Sequence, residues 1–128
     1  MKVLDSTFLI DLLRGKKETL AVINSKGPLL TTSVNMYEVI RGLFLRNMNP
    51  EKFAKASALF ENINLLPLTE NGIIKSAEIS SSLIKKGTIV SDCDCLTAGI
   101  ALSHDIFTIV TRNVKHFKRM EGIKVESY

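Results

Sequence analysis

The chain has no tryptophan and only two cysteines and three prolines among its 128 residues. Cys93 and Cys95 are separated by one residue and cannot staple distant segments, so no disulfide framework organises the fold. A reducing cytoplasm is the expected setting. Long hydrophobic runs are missing as well. The first apolar stretch, VLDSTFLIDLL, carries Asp5 and Asp11 and is far short of a membrane span. It has neither a basic head nor a small-residue cleavage site, so no signal peptide is expected. No P-loop or G-x-G-x-x-G pattern occurs, and nucleotide cofactors therefore lack support. Low-complexity tracts and internal repeats are absent too.

What is present is an ordinary globular balance, 45% apolar and 23% charged. Residues 1–128 suit one domain, large enough to bury a core without metal or disulfide staples. Net charge is +4, which is compatible with a nucleic-acid partner without establishing one. Arg112, Lys115, His116, Lys118 and Arg119 crowd one stretch, and Arg14, Lys16 and Lys17 form a second group. Each group is either a phosphate-binding patch or plain solvated surface.

Lys2 to Asp5 reads as a short buried strand ending in a carboxylate. STFLIDLLR reads as a helix closed by Gly15, followed by a helical piece from Lys17 to Asn24 and a Gly27-Pro28 turn. Leu29 to Thr32 is a second strand, and Ser33 is a good N-cap for a helix from Val34 to Asn47. Met36, Tyr37, Ile40, Leu43 and Phe44 line one face of that helix, with Glu38 and Arg41 beside it. After Asn49-Pro50 a helix from Glu51 to Asn62 carries Phe53 and Phe60. Ile63 to Leu68 is a third strand, which Pro67 limits to a sheet edge or an early end. Thr69 caps a long helix that reaches Lys86 and is closed by Gly87. The helix from Asp92 to His104 is apolar nearly all round in LTAGIAL and should be deeply buried. Phe107 to Thr111 is a fourth strand. A short basic helix and a last strand, IKVES, follow.

This alternation predicts an α/β fold with a parallel sheet covered on both faces and right-handed crossovers. With the order 3-2-1-4-5, the first and fourth strands meet at the switch point, outside whose carboxyl ends ligands bind. Asp5 and the Thr111–Asn113 turn both fall there.

An ionised carboxylate cannot be buried without partners. Asp5 therefore meets a metal, a base or solvent, or else it caps the helix behind it. Glu38 pairs with Arg41 on the surface or joins Asp5. Asp94 precedes the most apolar helix, with Asp92 two residues earlier, and one of the two is expected to cap it. Three converging acids would suit Mg²⁺ or Mn²⁺, hard ions that prefer carboxylate and water oxygens. Zinc on Cys93, Cys95, His104 and His116 fits no standard ligand spacing. Phosphatase and receiver chemistry each want a second acid that the chain lacks, since Thr7 stands two residues after Asp5.

VLDSTFLIDLL, YEVIRG, DCDCLTAGIAL and TIVTRNVKHFKRMEGIKV, in that order, resemble the PIN-domain ribonucleases, and especially the VapC-like toxins of toxin–antitoxin pairs. The resemblance covers nearly the whole chain. It implies a three-layer PIN-like sandwich and metal-dependent endonucleolytic cleavage of RNA by an activated water, leaving a 5′-phosphate. By its pattern Asp5, Glu38 and Asp94 are metal ligands, direct or through water, and Asp92 is an additional acid. Where many relatives carry a fourth Asp this chain has Asn113, which is expected to orient water or phosphate. One tightly held ion then suits the site better than two. Ser6 and Thr111 would fix carboxylate geometry, and Arg112 and Lys115 would contact substrate phosphates. The resemblance further implies a homodimer and a small antitoxin protein covering the site. Most of Met36, Tyr37, Leu43, Phe44, Phe53 and Phe60 should be core, and any left exposed would offer an apolar groove to an antitoxin helix. An RNA-processing nuclease without a toxin role, or a catalytically weak RNA-binding module, is the alternative.

Overall fold

The computed structural model describes every residue, Met1–Tyr128. In chain order the elements are β1 (Lys2–Leu4), α1 (Ser6–Leu13), α2 (Thr19–Ile23), β2 (Leu29–Thr32), α3 (Ser33–Leu45), α4 (Pro50–Glu61), β3 (Asn64–Leu66), α5 (Glu70–Lys85), α6 (Asp92–Ser103), β4 (Thr108–Val110), α7 (Val114–Lys118) and β5 (Lys124–Glu126). The five strands form one parallel sheet in the order β3-β2-β1-β4-β5. This is the expected order, and β3, with its trailing Pro67, lies at an edge.

Side chains alternate across a strand, so neighbours on β1 and β4 serve opposite layers. Val3 and Ile109 join Ile79, Leu83, Ala98 and Phe117 under α5, α6 and α7. Leu4 and Val110 join Phe8, Leu9, Val22 and Val39 under α1, α2 and α3. Two cores, one on each face of the sheet, make the three-layer sandwich. β1 pairs with β4 from Lys2↔Thr108 to Leu4↔Val110, and this register brings Asp5 level with Thr111. The Asp5 amide donates to the Val110 carbonyl (3.1 Å) and continues the ladder one residue past the strand.

Element ends depart from expectation in physically readable ways. The cap of α3 is Thr32, whose hydroxyl accepts from the Asn35 amide, and Ser33 is the first helical residue. The segment after Gly15 is helical only from Thr19 to Ile23. α3 also turns a different face inward. Its buried line is Asn35 and Val39, while Tyr37 (57%) and Phe44 (65%) are exposed. Phe53 is exposed as well, and Met36, Leu43 and Phe60 are half-buried. A polar seam sets that orientation. The Asn35 amide group donates to Thr97 on α6 (3.2 Å) and its carbonyl oxygen accepts from Thr32 (2.7 Å), all three being essentially buried. Buried polar groups need partners more strictly than exposed aromatics need cover.

Candidate active site at the sheet switch point

Asp5 follows β1 directly and is 1% exposed. The capping reading of it holds. Its Oδ1 accepts from the Phe8 amide (3.0 Å) and so caps α1, and the same oxygen accepts from the Thr7 hydroxyl (2.7 Å). Its Oδ2 accepts from Thr111 (2.5 Å). A carboxylate offers about four lone-pair directions. With three taken, Oδ2 keeps room for one further partner.

Glu38 does not pair with Arg41. Arg41 lies over the Tyr37 ring, 5.2 Å from its centroid, while Glu38 Oε1 accepts from Ser6 (3.0 Å). Neither Asp92 nor Asp94 caps α6. Ser91 does, its hydroxyl accepting from the Asp94 amide (3.2 Å). That leaves the Asp94 carboxylate, buried beside the helix N-terminus, to accept from His116 Nδ1 (2.8 Å). Asp92 is exposed. The Asn35–Thr97 seam also arranges the acids. Glu38 lies three residues after Asn35 and Asp94 three before Thr97, so each shares a helix face with its end of the contact.

Asn113 is half-buried at the start of α7, where its backbone amide donates to Thr111 (2.8 Å) and its side chain makes no capping bond. Lys115 is exposed. Arg112 is half-exposed, and its Nε lies 3.4 Å from Asp11. Sequence reasoning missed four contributors: Thr7, which joins Asp5 to the Arg112 amide (3.0 Å), His116, and the buried Asp11 with its hydroxyl donor Tyr128. The only sequence signal for His116 was a histidine one turn beyond Asn113. For Asp11 it was a second carboxylate in an apolar helix.

Burial is the main force on the site's titrations. It raises Asp5 to about 6 against donated bonds from Thr111, Phe8 and Thr7, and the Asp94 charge raises it further. Burial also raises Glu38 against a bond from Ser6, with Asp94 again adding repulsion. Next to them Cys93 is pushed up, first by burial and then by the Glu38 charge, which favours the thiol over the thiolate. Acids that repel one another and resist ionisation fit a divalent cation. The donor set narrows the choice. No three carboxylate, imidazole or thiol groups stand together as ligands of one ion, and structural zinc requires four protein ligands. Mg²⁺ or Mn²⁺, held through one or two carboxylates with several waters retained, fits an open acidic site.

Fold and site together define the class: a doubly wound α/β domain whose switch point holds buried carboxylates in place of a nucleotide-binding loop. The chain belongs to the PIN domain family, whose model matches residues 2–123. It is similar to the tRNA(fMet)-specific endonuclease VapC of Salmonella typhimurium, 29% identical over 98 residues, which are 76% of this chain and 73% of the relative. It is also similar to ribonuclease VapC1 of Rickettsia felis, 28% identical over 127 residues and spanning 96% of this chain and 92% of the relative. Among solved structures, a DNA-bound VapBC from Salmonella typhimurium superposes with a TM-score of 0.85 at 25% identity, covering 98% of this chain and 96% of that one. VapBC2 from Rickettsia felis bound to a promoter DNA fragment shares the fold, with a TM-score of 0.88 at 18% identity over 99% of this chain and 98% of that one.

Proposed function

We propose that the chain is a metal-dependent endoribonuclease, the toxin of a toxin–antitoxin pair. One observation carries the reading. Asp5 and Glu38 both feel the charge of Asp94, although the three come from distant segments, and each has a side-chain donor of its own: Thr111, Ser6 and His116. The names of the relatives point the same way. Asp5, Glu38 and Asp94 would hold Mg²⁺ or Mn²⁺, directly or through water, and Asp92 lies outside that set. Bound there, the ion would supply a water of lowered pKa and neutralise charge on the scissile phosphate.

The chain's own residues do the rest. Ser6 and Thr111 donate to Glu38 and Asp5 and so fix which carboxylate oxygens face the cleft. His116 does the same for Asp94. Asn113, a neutral donor and acceptor, orients a water or the phosphate. Arg112 and Lys115 meet the RNA backbone, which carries no sequence information and accordingly fixes register rather than specificity.

A partner fits beside the site. A groove of about 580 Å³ runs between α1, α3 and α4, floored by Ile10, Leu13, Val39 and Leu43 and rimmed by Arg14, Arg46, Lys52 and Lys55. An amphipathic, acidic antitoxin helix suits that combination. The exposed Tyr37 and Phe44 leave a second apolar face for a homodimer. No helix is long and apolar enough to cross a membrane, and the expected setting is the cytoplasm.

Purified protein should cleave single-stranded RNA with Mg²⁺ or Mn²⁺ and stop when chelator is added. Asp94→Asn should keep its fold and lose on the order of a hundredfold in rate. Cleavage that persists in excess chelator would overturn the metal role. Expression that leaves growth unaffected, with cleavage intact, would assign the chain to RNA processing instead.

A further inference from the structure

Asp11 lies further along α1 than Asp5 and apart from the acidic centre. It is 1% exposed, and an unaided carboxylate does not stay charged in such a place. Its Oδ2 accepts from the Tyr128 hydroxyl (2.5 Å) and faces Arg112 Nε (3.4 Å). Its Oδ1 accepts no hydrogen bond and faces Lys16 Nζ at 3.4 Å. Buried ion pairs are poor sources of net stability, so the arrangement calls for another role. Burial, and then Asp11 itself, push the Tyr128 phenol well above its ordinary range, which keeps it a donor.

Arg112 is gripped at one end and free at the other. Its amide donates to Thr7 (3.0 Å), whose hydroxyl donates to Asp5 (2.7 Å), so its backbone is tied to the acidic centre. Its Nε faces Asp11, yet half the side chain is exposed. A cleft of about 290 Å³ opens here, bordered by Lys16, Glu18, Thr111, Arg112 and Tyr128. A guanidinium anchored through Nε still presents a planar pair of donors, which match two phosphate oxygens.

We propose that Asp11 is a positioning residue that holds Arg112 through Nε, so that its two terminal nitrogens grip an RNA backbone phosphate neighbouring the scissile one. Tyr128 bonds the same Asp11 oxygen and keeps the carboxylate from rotating away. The proposal rests on the ribonuclease reading with Arg112 on the substrate.

The test measures binding of a single-stranded RNA oligonucleotide over a range of salt, in an Asp94→Asn background that suppresses cleavage. Asp11→Asn should weaken binding roughly threefold to tenfold and flatten the log-affinity against log-salt slope by about 0.7, the loss of one phosphate contact. Arg112→Ala should do the same, and the double variant should be no worse than Arg112→Ala alone, since one acts through the other. Arg112→Lys lies on the surface and keeps the charge without the fork. It should lose affinity as Asp11→Asn does while keeping most of the slope, and it serves as the second variant should Asp11→Asn fail to fold. Tyr128→Phe should lower the melting temperature and flatten the slope less than Asp11→Asn does, since the carboxylate stays and loses only its clamp. A wild-type slope in Asp11→Asn, or wild-type affinity in Arg112→Lys, while Arg112→Ala is flattened, or losses that multiply in the double variant, would overturn the positioning role and leave Arg112 on the substrate. A wild-type slope in Arg112→Ala would remove Arg112 from the substrate and Asp11 with it.

Discussion

At the scale of the residue, Asp5 sets the pH behaviour. Burial raises it to about 6 from an ordinary value of 3.8. Between those values the folded chain keeps a proton that the unfolded chain has released, so stability falls as pH rises through the window. The metal-free protein should therefore be less stable at pH 7 than at pH 5, this one group contributing on the order of 1 kcal/mol. A divalent cation competes with that proton. Mn²⁺ should raise the melting temperature strongly at pH 7 and little at pH 5, and Asp5→Asn should lose both the pH slope and the metal effect. Melting curves of the two proteins, with chelator and with Mn²⁺, decide it. Equal metal-free stability at both pH values, unchanged in Asp5→Asn, would mean that Asp5 is ionised without penalty and needs no cation.

At the scale of the element, the approach of α5 to α6 is closest at Gly99. A Cβ built there would lie 2.6 Å from the Ser76 backbone nitrogen and 2.8 Å from its Cα, distances that rotating a side chain cannot relieve. The Ser76 hydroxyl donates back to the Gly72 carbonyl (2.6 Å), leaving the contact surface narrow on both sides. Gly99→Ala should destabilise the fold by about 1–3 kcal/mol although alanine is the better helix former. Urea unfolding measures it, and a variant as stable as the parent would show that α5 can move outward freely. α6 carries Asp94 at its first turn, so the same substitution should also impair cleavage if the helices separate. LTAGIAL announced this helix as buried, but small residues in a row cannot say which of them a neighbour will touch.

At the scale of the molecule, strand order and the meeting of Asp5 with Thr111 were readable in the sequence. Short apolar segments alternate with amphipathic ones, and only a parallel sheet with crossovers accommodates that pattern. Asp5 and Thr111 then meet because β1 and β4 are neighbours. What was not readable depends on side-chain direction. α3 exposes the aromatics that its periodicity marked for the core, because the polar Asn35–Thr97 contact sets its rotation. Ser91 outcompetes both aspartates for the cap, and His116 and Tyr128 reach their carboxylates from the far end of the chain. The exposed groove gives a prediction at this scale. A Cβ on Gly42 meets no atom within 4 Å, so Gly42→Phe should fill the groove while leaving the isolated protein's cleavage and melting temperature nearly unchanged. Co-expression of the proposed antitoxin should then no longer relieve growth arrest, and full relief would place that partner elsewhere. Assembly has a direction in time as well. The central strand β1 is made before its neighbour β4, which begins at Thr108, and the donor to Asp11 is Tyr128. A nascent chain therefore holds Asp5 without Thr111 and Asp94 without His116 until β4 and α7 have been made.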